Sequence, residues 1–205
     1  MSTGLPSGKL SAISGGMGRA LSFGLPLAVM AVASCAGGAP TPEEAHQRLV
    51  QAVSTRDGAR LFDALDLATR WSWMSIQRAQ RETYDIILSN CPEGPERERL
   101  LKRCQTGALS ESARALFARQ LEPSAWDELA AELPAAGAPQ VVSADLAELK
   151  AGGHTLGYRR AGRRGWGFAG LAARAEDLKR RSLADLELVR ASAADYERAA
   201  TRRLP

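Results

Sequence analysis

Between Pro134 and Pro139 the chain reads PAAGAP, and the spacing of apolar residues changes period on either side of it. Upstream, apolar side chains recur every three or four residues, the spacing that gathers them on one face of a helix. Downstream, Val141, Ser143, Asp145 and Ala147 alternate with Val142, Ala144, Leu146 and Glu148, the period of a strand. A helix near its end also explains that second pattern; strand is the reading adopted here. Prolines and a glycine at this density break any helix, so PAAGAP is a linker by composition. The chain is thereby confined to an α+β, helix-rich fold: several short helices packed with a small antiparallel sheet of about three strands, then a long C-terminal helix.

The helical part begins at Thr41-Pro42-Glu43-Glu44, where a threonine N-cap, a proline at the first helical position and a glutamate three residues on agree. Ala45, Leu49, Ala52 and Val53 continue at helical spacing up to Gly58. A short second helix carries Leu61, Phe62 and Leu65. A third runs from about Arg70 to Asn90 through Trp73, Ile76, Tyr84 and Ile87. Pro92, Gly94 and Pro95 end it, and a short helix from Glu96 to Arg103 turns back. Ser110 and Ser124 are candidate N-caps for two more. Beyond the linker, His154 to Arg160 and Gly165 to Leu171 flank the turn Ala161-Gly162-Arg163-Arg164 and read as a hairpin, with Leu156 and Tyr158 facing Trp166 and Phe168. From Ala172 a long helix carries Leu178, Leu186, Val189, Ala193 and Tyr196 on one stripe, with Ser182 to Asp185 as an internal cap that could divide it.

The N-terminal stretch Gly18 to Thr41 is of another kind. Arg19 precedes an apolar run, Ala20 to Val32, that is shorter than the roughly 20 residues a spanning helix needs and is interrupted by Gly24 and Pro26. Small residues then lead into a cysteine. Val32-Ala33-Ser34-Cys35 resembles the lipobox of bacterial lipoproteins. The resemblance implies that residues 1–34 are a signal peptide, that the Cys35 thiol receives a diacylglycerol, and that the chain is held to a membrane there. With Ala36 rather than aspartate after the cysteine, it further implies the outer membrane, facing the periplasm. Residues 35–40 then read as a flexible tether and 41–205 as a single globular domain. Met17 is an alternative start to Met1 that gives the signal ordinary proportions.

Removing residues 1–34 leaves 171 residues, enough for one domain with a real core. The signal takes Lys9 and Arg19 with it, so 27 basic residues become 25 against 23 acidic ones, a net charge of +2. That balance, with charges interspersed, excludes an electrostatic nucleic-acid binder. In an oxidising compartment Cys91 and Cys104 are expected to pair as a disulfide closing a 14-residue loop. The metal alternative lacks histidines between them and half of a tetrahedral shell.

No catalytic constellation stands out. His46, beside Glu43 and Glu44, reads as a surface residue, and His154 as a turn residue. Neither has metal-ligand spacing to another donor, so no metal and no cofactor are expected. The glycines at Gly15, Gly16 and Gly18 precede the expected cleavage point, and no G-x-S-x-G occurs. Arg159, Arg160, Arg163 and Arg164 around the hairpin turn are a candidate anion or lipid-phosphate contact, against the plainer reading of a solvated turn. Lys179, Arg180 and Arg181 have Glu176, Asp177 and Asp185 nearby for local pairing. Of Trp71 and Trp73, two apart on one helix, only one can face the core.

The leading helix TPEEAHQRLVQAVSTRDGARLFDAL and the hairpin ending in a tryptophan strand resemble the nuclear transport factor two-like, or SnoaL-like, superfamily. That resemblance implies helices lying across a curved sheet, with a mouth that can bind a small molecule. The sequence departs from the family by a helical region from Arg70 to Leu133, by the lack of a clear run of four strands and by its C-terminal helix, so no family catalytic residue carries over. The expectation is a non-enzymatic envelope lipoprotein that binds a protein partner or small ligand. The alternatives are a SnoaL-like enzyme with a carboxylate-lined pocket and a purely structural spacer.

Overall fold

The structure, a computed structural model, describes residues 38–134, 137–151 and 153–202. Its elements are α1 (Pro42–Ser54), α2 (Gly58–Ala64), α3 (Leu67–Asn90), α4 (Pro95–Ala108), α5 (Ala113–Arg119), α6 (Pro123–Glu132), β1 (Gln140–Ser143), β2 (Leu146–Ala151), β3 (His154–Arg160), β4 (Trp166–Phe168) and α7 (Ala172–Arg202). This is the α+β, helix-rich fold that the change of period requires, with four strands.

Side-chain caps start the first three helices. Thr41 Oγ1 accepts from the Glu44 N–H at 3.2 Å, Asp57 from the Ala59 and Arg60 N–H groups at 3.0 Å, and Asp66 from the Thr69 N–H at 2.6 Å. The two expected serine caps lie elsewhere. α5 is capped by Ser112, whereas Ser110 is buried past the end of α4, its hydroxyl donating to the Thr106 carbonyl at 2.6 Å and its carbonyl accepting from Gln77 and Arg81. Ser124 follows Pro123 inside α6, with Glu122 at the cap position. Nor is α7 divided. Ser182 is buried on its inner side, and with neither glycine nor proline from Ala172 to Arg202 nothing interrupts its backbone ladder.

The sheet is an antiparallel meander in the order β1-β2-β3-β4. The alternating stretch 141–148 is two strands reversing at Ala144-Asp145, because period-two spacing carries no mark of a two-residue turn. The hairpin register sets Tyr158 opposite Phe168 and Arg160 opposite Trp166. One sheet edge, β1, faces solvent along its length. The other is covered twice: Ala39 pairs with Trp166, and Leu65 bridges Phe168 while the Asp66 N–H donates to the Phe168 carbonyl at 2.9 Å. The chain is therefore already part of the domain at Gly38, inside the stretch 35–40 expected as tether.

Between the sheet's inner face and helices α1, α2, α5 and α6 lies an aromatic core. Trp73 meets Phe117 edge-on at 5.1 Å between ring centroids, Phe117 meets Phe62 at 5.8 Å, and Tyr158 meets Phe168 at 5.9 Å. Beyond it the second half of α3 runs on between α4 and α7 as a helical arm. The arm's buried residues are mostly smaller: Ala79, Ile87, Cys104, Ala108, Leu186 and Ala193.

Cys91 and Cys104 are both in this arm, and both thiols are free. Gly107 of α4 is pressed against Gln80 of α3, closely enough that a Cβ there would overlap the glutamine side chain, and Cys104 lies beside Thr83 and Ile87. Cys91 caps α3 eight residues beyond Thr83, a helical rise of about 12 Å. Cys104 is thus set back along α3 from Cys91, and no disulfide joins them. The proline-rich corner does fold the chain back, but the α3–α4 register carries Cys104 down the hairpin, away from its expected partner.

Candidate functional site

A cleft of about 270 Å³ lies where α3, α5 and α6 meet the start of α7. Trp73, Phe117, Leu121, Leu129 and Leu171 make its apolar lining; Gln120, Glu128, Glu132 and Arg174 supply polar groups. Glu128 and Glu132 lie one turn apart on α6 and, like Arg174, are exposed. Trp73 is only 4% exposed, and its indole Nε1–H has no hydrogen-bond partner. It shares that state with other buried polar atoms of the domain, Asp66 Oδ2 and Thr69 Oγ1 among them. Trp71, by contrast, is 54% exposed, as two positions on one helix require. Sequence inspection missed the cleft because its walls come from four elements spread over a hundred residues.

His46 is a correction to the expected surface histidine. It is buried, with Nδ1 2.6 Å from the Tyr158 hydroxyl and Nε2 3.2 Å from the Pro134 carbonyl oxygen. A carbonyl only accepts, so Nε2 carries the proton, and the tyrosine O–H donates to Nδ1. Burial lowers the His46 pKa, with the Pro134 carbonyl opposing, and raises that of Tyr158. The pair is consistently neutral, and each histidine nitrogen is engaged by the fold itself. A sequence signal existed: His46 falls on the stripe of Leu49 and Val53, three and seven residues on.

The four arginines of the hairpin turn are close in sequence and fold, but Arg159 and Arg160, successive in a strand, leave opposite faces of the sheet. Arg159 and Arg160 end β3, Arg163 and Arg164 lie in the 3-10 turn Gly162–Arg164, and all four are exposed. None takes part in the ion pairs found among the described residues, whereas Lys179, Arg180 and Arg181 of α7 are paired with Glu176 and Asp177 as anticipated. Arg164 instead lies over the Trp71 ring, its guanidinium carbon 5.9 Å from the centroid. Asp145 approaches this end of the sheet through its backbone, its carbonyl accepting from the Arg160 N–H at 3.0 Å.

His154 is exposed at the start of β3. Among the described residues no group of three or more His, Cys, Asp or Glu side chains could hold a metal ion, and no helix is long and apolar enough to cross a membrane. Cys35, with the rest of the lipobox, lies outside the described residues. Compared with protein-family models, with curated proteins and with solved structures, the chain matches none.

Proposed function

We propose that this chain is a lipid-anchored protein of the cell envelope, acylated at Cys35 and facing the periplasm. Its domain acts as a non-enzymatic binding module, taking into the Trp73 cleft a small, mostly apolar ligand that carries a hydrogen-bond acceptor. The observation that carries this reading is the cleft itself, an apolar lining of Trp73, Phe117, Leu121, Leu129 and Leu171 with a few polar groups around it. Arg174 at the rim favours an anionic end on the ligand. A SnoaL-like enzyme asks instead for ionisable groups converging inside the cavity. Binding is favoured because Glu128 and Glu132 are exposed and His46 is occupied by Tyr158 and Pro134.

Two measurements test the two halves. The mass of the amino-terminal peptide, with fractionation of wild type and Cys35→Ser, tests the anchor: an unmodified terminus, or wild-type protein wholly in the soluble fraction, removes it. For the cleft, the probe is anilinonaphthalene sulfonate, an apolar anion with acceptor oxygens. Ala125→Trp fills the lining and is expected to weaken probe binding more than tenfold. Arg174→Gln removes the cation at the rim, and is expected to weaken binding of the anionic probe about two- to tenfold. Wild-type affinity in both variants sinks the cleft as the binding site.

A further inference from the structure

From Gly38 onward the chain is held to the domain. The Gly38 N–H donates to the Arg164 carbonyl at 2.6 Å, and Ala39 exchanges two backbone hydrogen bonds with Trp166, at 2.9 and 2.7 Å. Ala39 is buried, and Gly165, at φ +89°, approaches so closely that a Cβ there would lie 2.5 Å from the Ala39 carbonyl oxygen. The chain therefore enters the domain clamped to the arginine turn. Cys35 is three residues ahead of Gly38, and three residues reach at most about 11 Å. Whatever holds Cys35 must hold this end of the domain against it.

That end also has a membrane-facing chemistry. Arg159, Arg160, Arg163 and Arg164 have no ion-pair partner among the described residues. Of the nearby carboxylates, Asp63 is paired with Arg114, Asp66 is buried as the cap of α3, and Asp145 is exposed on the strand turn beside Arg160. Beside them on α3, Trp71 and Met74 are 54% and 55% exposed, with Arg164 over the indole. A tryptophan with an apolar body and a polar edge, next to arginines whose stems can lie along apolar surface, is the composition favoured at a bilayer interface. Polybasic turns are drawn to anionic headgroups.

We propose that this face docks on the phospholipid surface itself: Arg163 and Arg164 of the turn hold lipid phosphates, Trp71 and Met74 enter the interfacial layer, and the domain is seated on the membrane in one orientation. The proposal rests on acylation of Cys35 and adds what the protein does once held there.

The test uses full-length protein processed in its host, purified and reconstituted into phosphatidylethanolamine–phosphatidylglycerol vesicles with brominated acyl chains, which quench tryptophan on contact. Since Trp73, Trp126 and Trp166 are buried, quenching should come from Trp71. Wild type is expected to be quenched, and Trp71→Phe to lose at least three quarters of that quenching. Arg163→Glu with Arg164→Glu, both exposed, is expected to lose at least half while keeping its circular dichroism and its acylation. An acylated, vesicle-bound protein in which Trp71 is untouched by bromine but accessible to aqueous acrylamide overturns the docking and leaves the anchor standing. Acrylamide and bromine both failing to reach Trp71 also overturns it, indicating that a protein covers the patch. An unmodified amino-terminal peptide removes the anchor, and the docking with it.

Discussion

The sheet end and the helical arm are built from the same chain by different means. At the sheet end, rings interlock: Trp73, Phe117, Phe62, Tyr158 and Phe168 lie within 6 Å centroid contacts, and both nitrogens of the one buried histidine are satisfied. In the arm, α3, α4 and α7 meet mainly through small residues, with Gly107 allowing the closest approach. Leu183, Leu188 and Tyr196 of α7 remain exposed. Large interlocking side chains fix one packing; small ones permit a close seam but return less burial per residue. The sheet end should therefore carry the global stability, and the arm should open first.

The largest test removes a ring. Phe117→Ala leaves Trp73 and Phe62 facing a void and should cost about 3–5 kcal/mol in urea unfolding. A loss below about 1 kcal/mol would mean that the sheet end is not the stable half. Next, Tyr158→Phe withdraws the only donor to His46 Nδ1 and should cost about 1–3 kcal/mol near neutral pH. The same site gives a pH signature. Burial lowers the His46 pKa, so the unfolded chain binds the proton more readily. Stability from this group is whole above the unfolded value of about 6.5, and is lost as pH falls from there through the folded pKa. His46→Gln should flatten that slope, and an unchanged slope would assign it to other groups.

In the arm the thiols report opening. Cys91 is half-buried at a helix end, while Cys104 is buried, donates towards the Leu100 and Leu101 carbonyls, and has its pKa raised by burial. Both should label as free thiols, Cys91 at least tenfold faster. Cys104 labelling in mild urea should precede the change in tryptophan emission. Coincident transitions would make arm and sheet end one cooperative unit. The smallest effect is expected across the arm's surface: the Arg190–Glu82 pair between α7 and α3 is exposed, and Glu82→Gln should change stability by less than about 1 kcal/mol, a change that salt reduces further.

Local chemistry was legible in the sequence wherever it acts over a few residues. The Thr41 cap with Pro42, the opposition of Tyr158 and Phe168, and the division of labour between Trp71 and Trp73 follow from spacing alone. What spacing cannot carry is register between elements. Cys91 and Cys104 suited each other by compartment and loop length, yet the seam at Gly107 and Gln80 decides which residues face. His46 looked like a surface residue because its neighbours Glu43 and Glu44 are charged, while its partners are 88 and 112 positions away. The cleft was invisible for the same reason: no one of its walls is unusual by itself.

The bridge between Ala39 and Trp166 has a consequence in time as well as in space. It joins residues 127 positions apart, so it is expected to close after the local β3–β4 hairpin has formed. The first residues of the domain are thus among the last to be fixed. Bonds formed after the rate-limiting step govern how fast a protein comes apart rather than how fast it assembles. Weakening the Ala39 bridge should therefore show itself as faster unfolding at an unchanged folding rate.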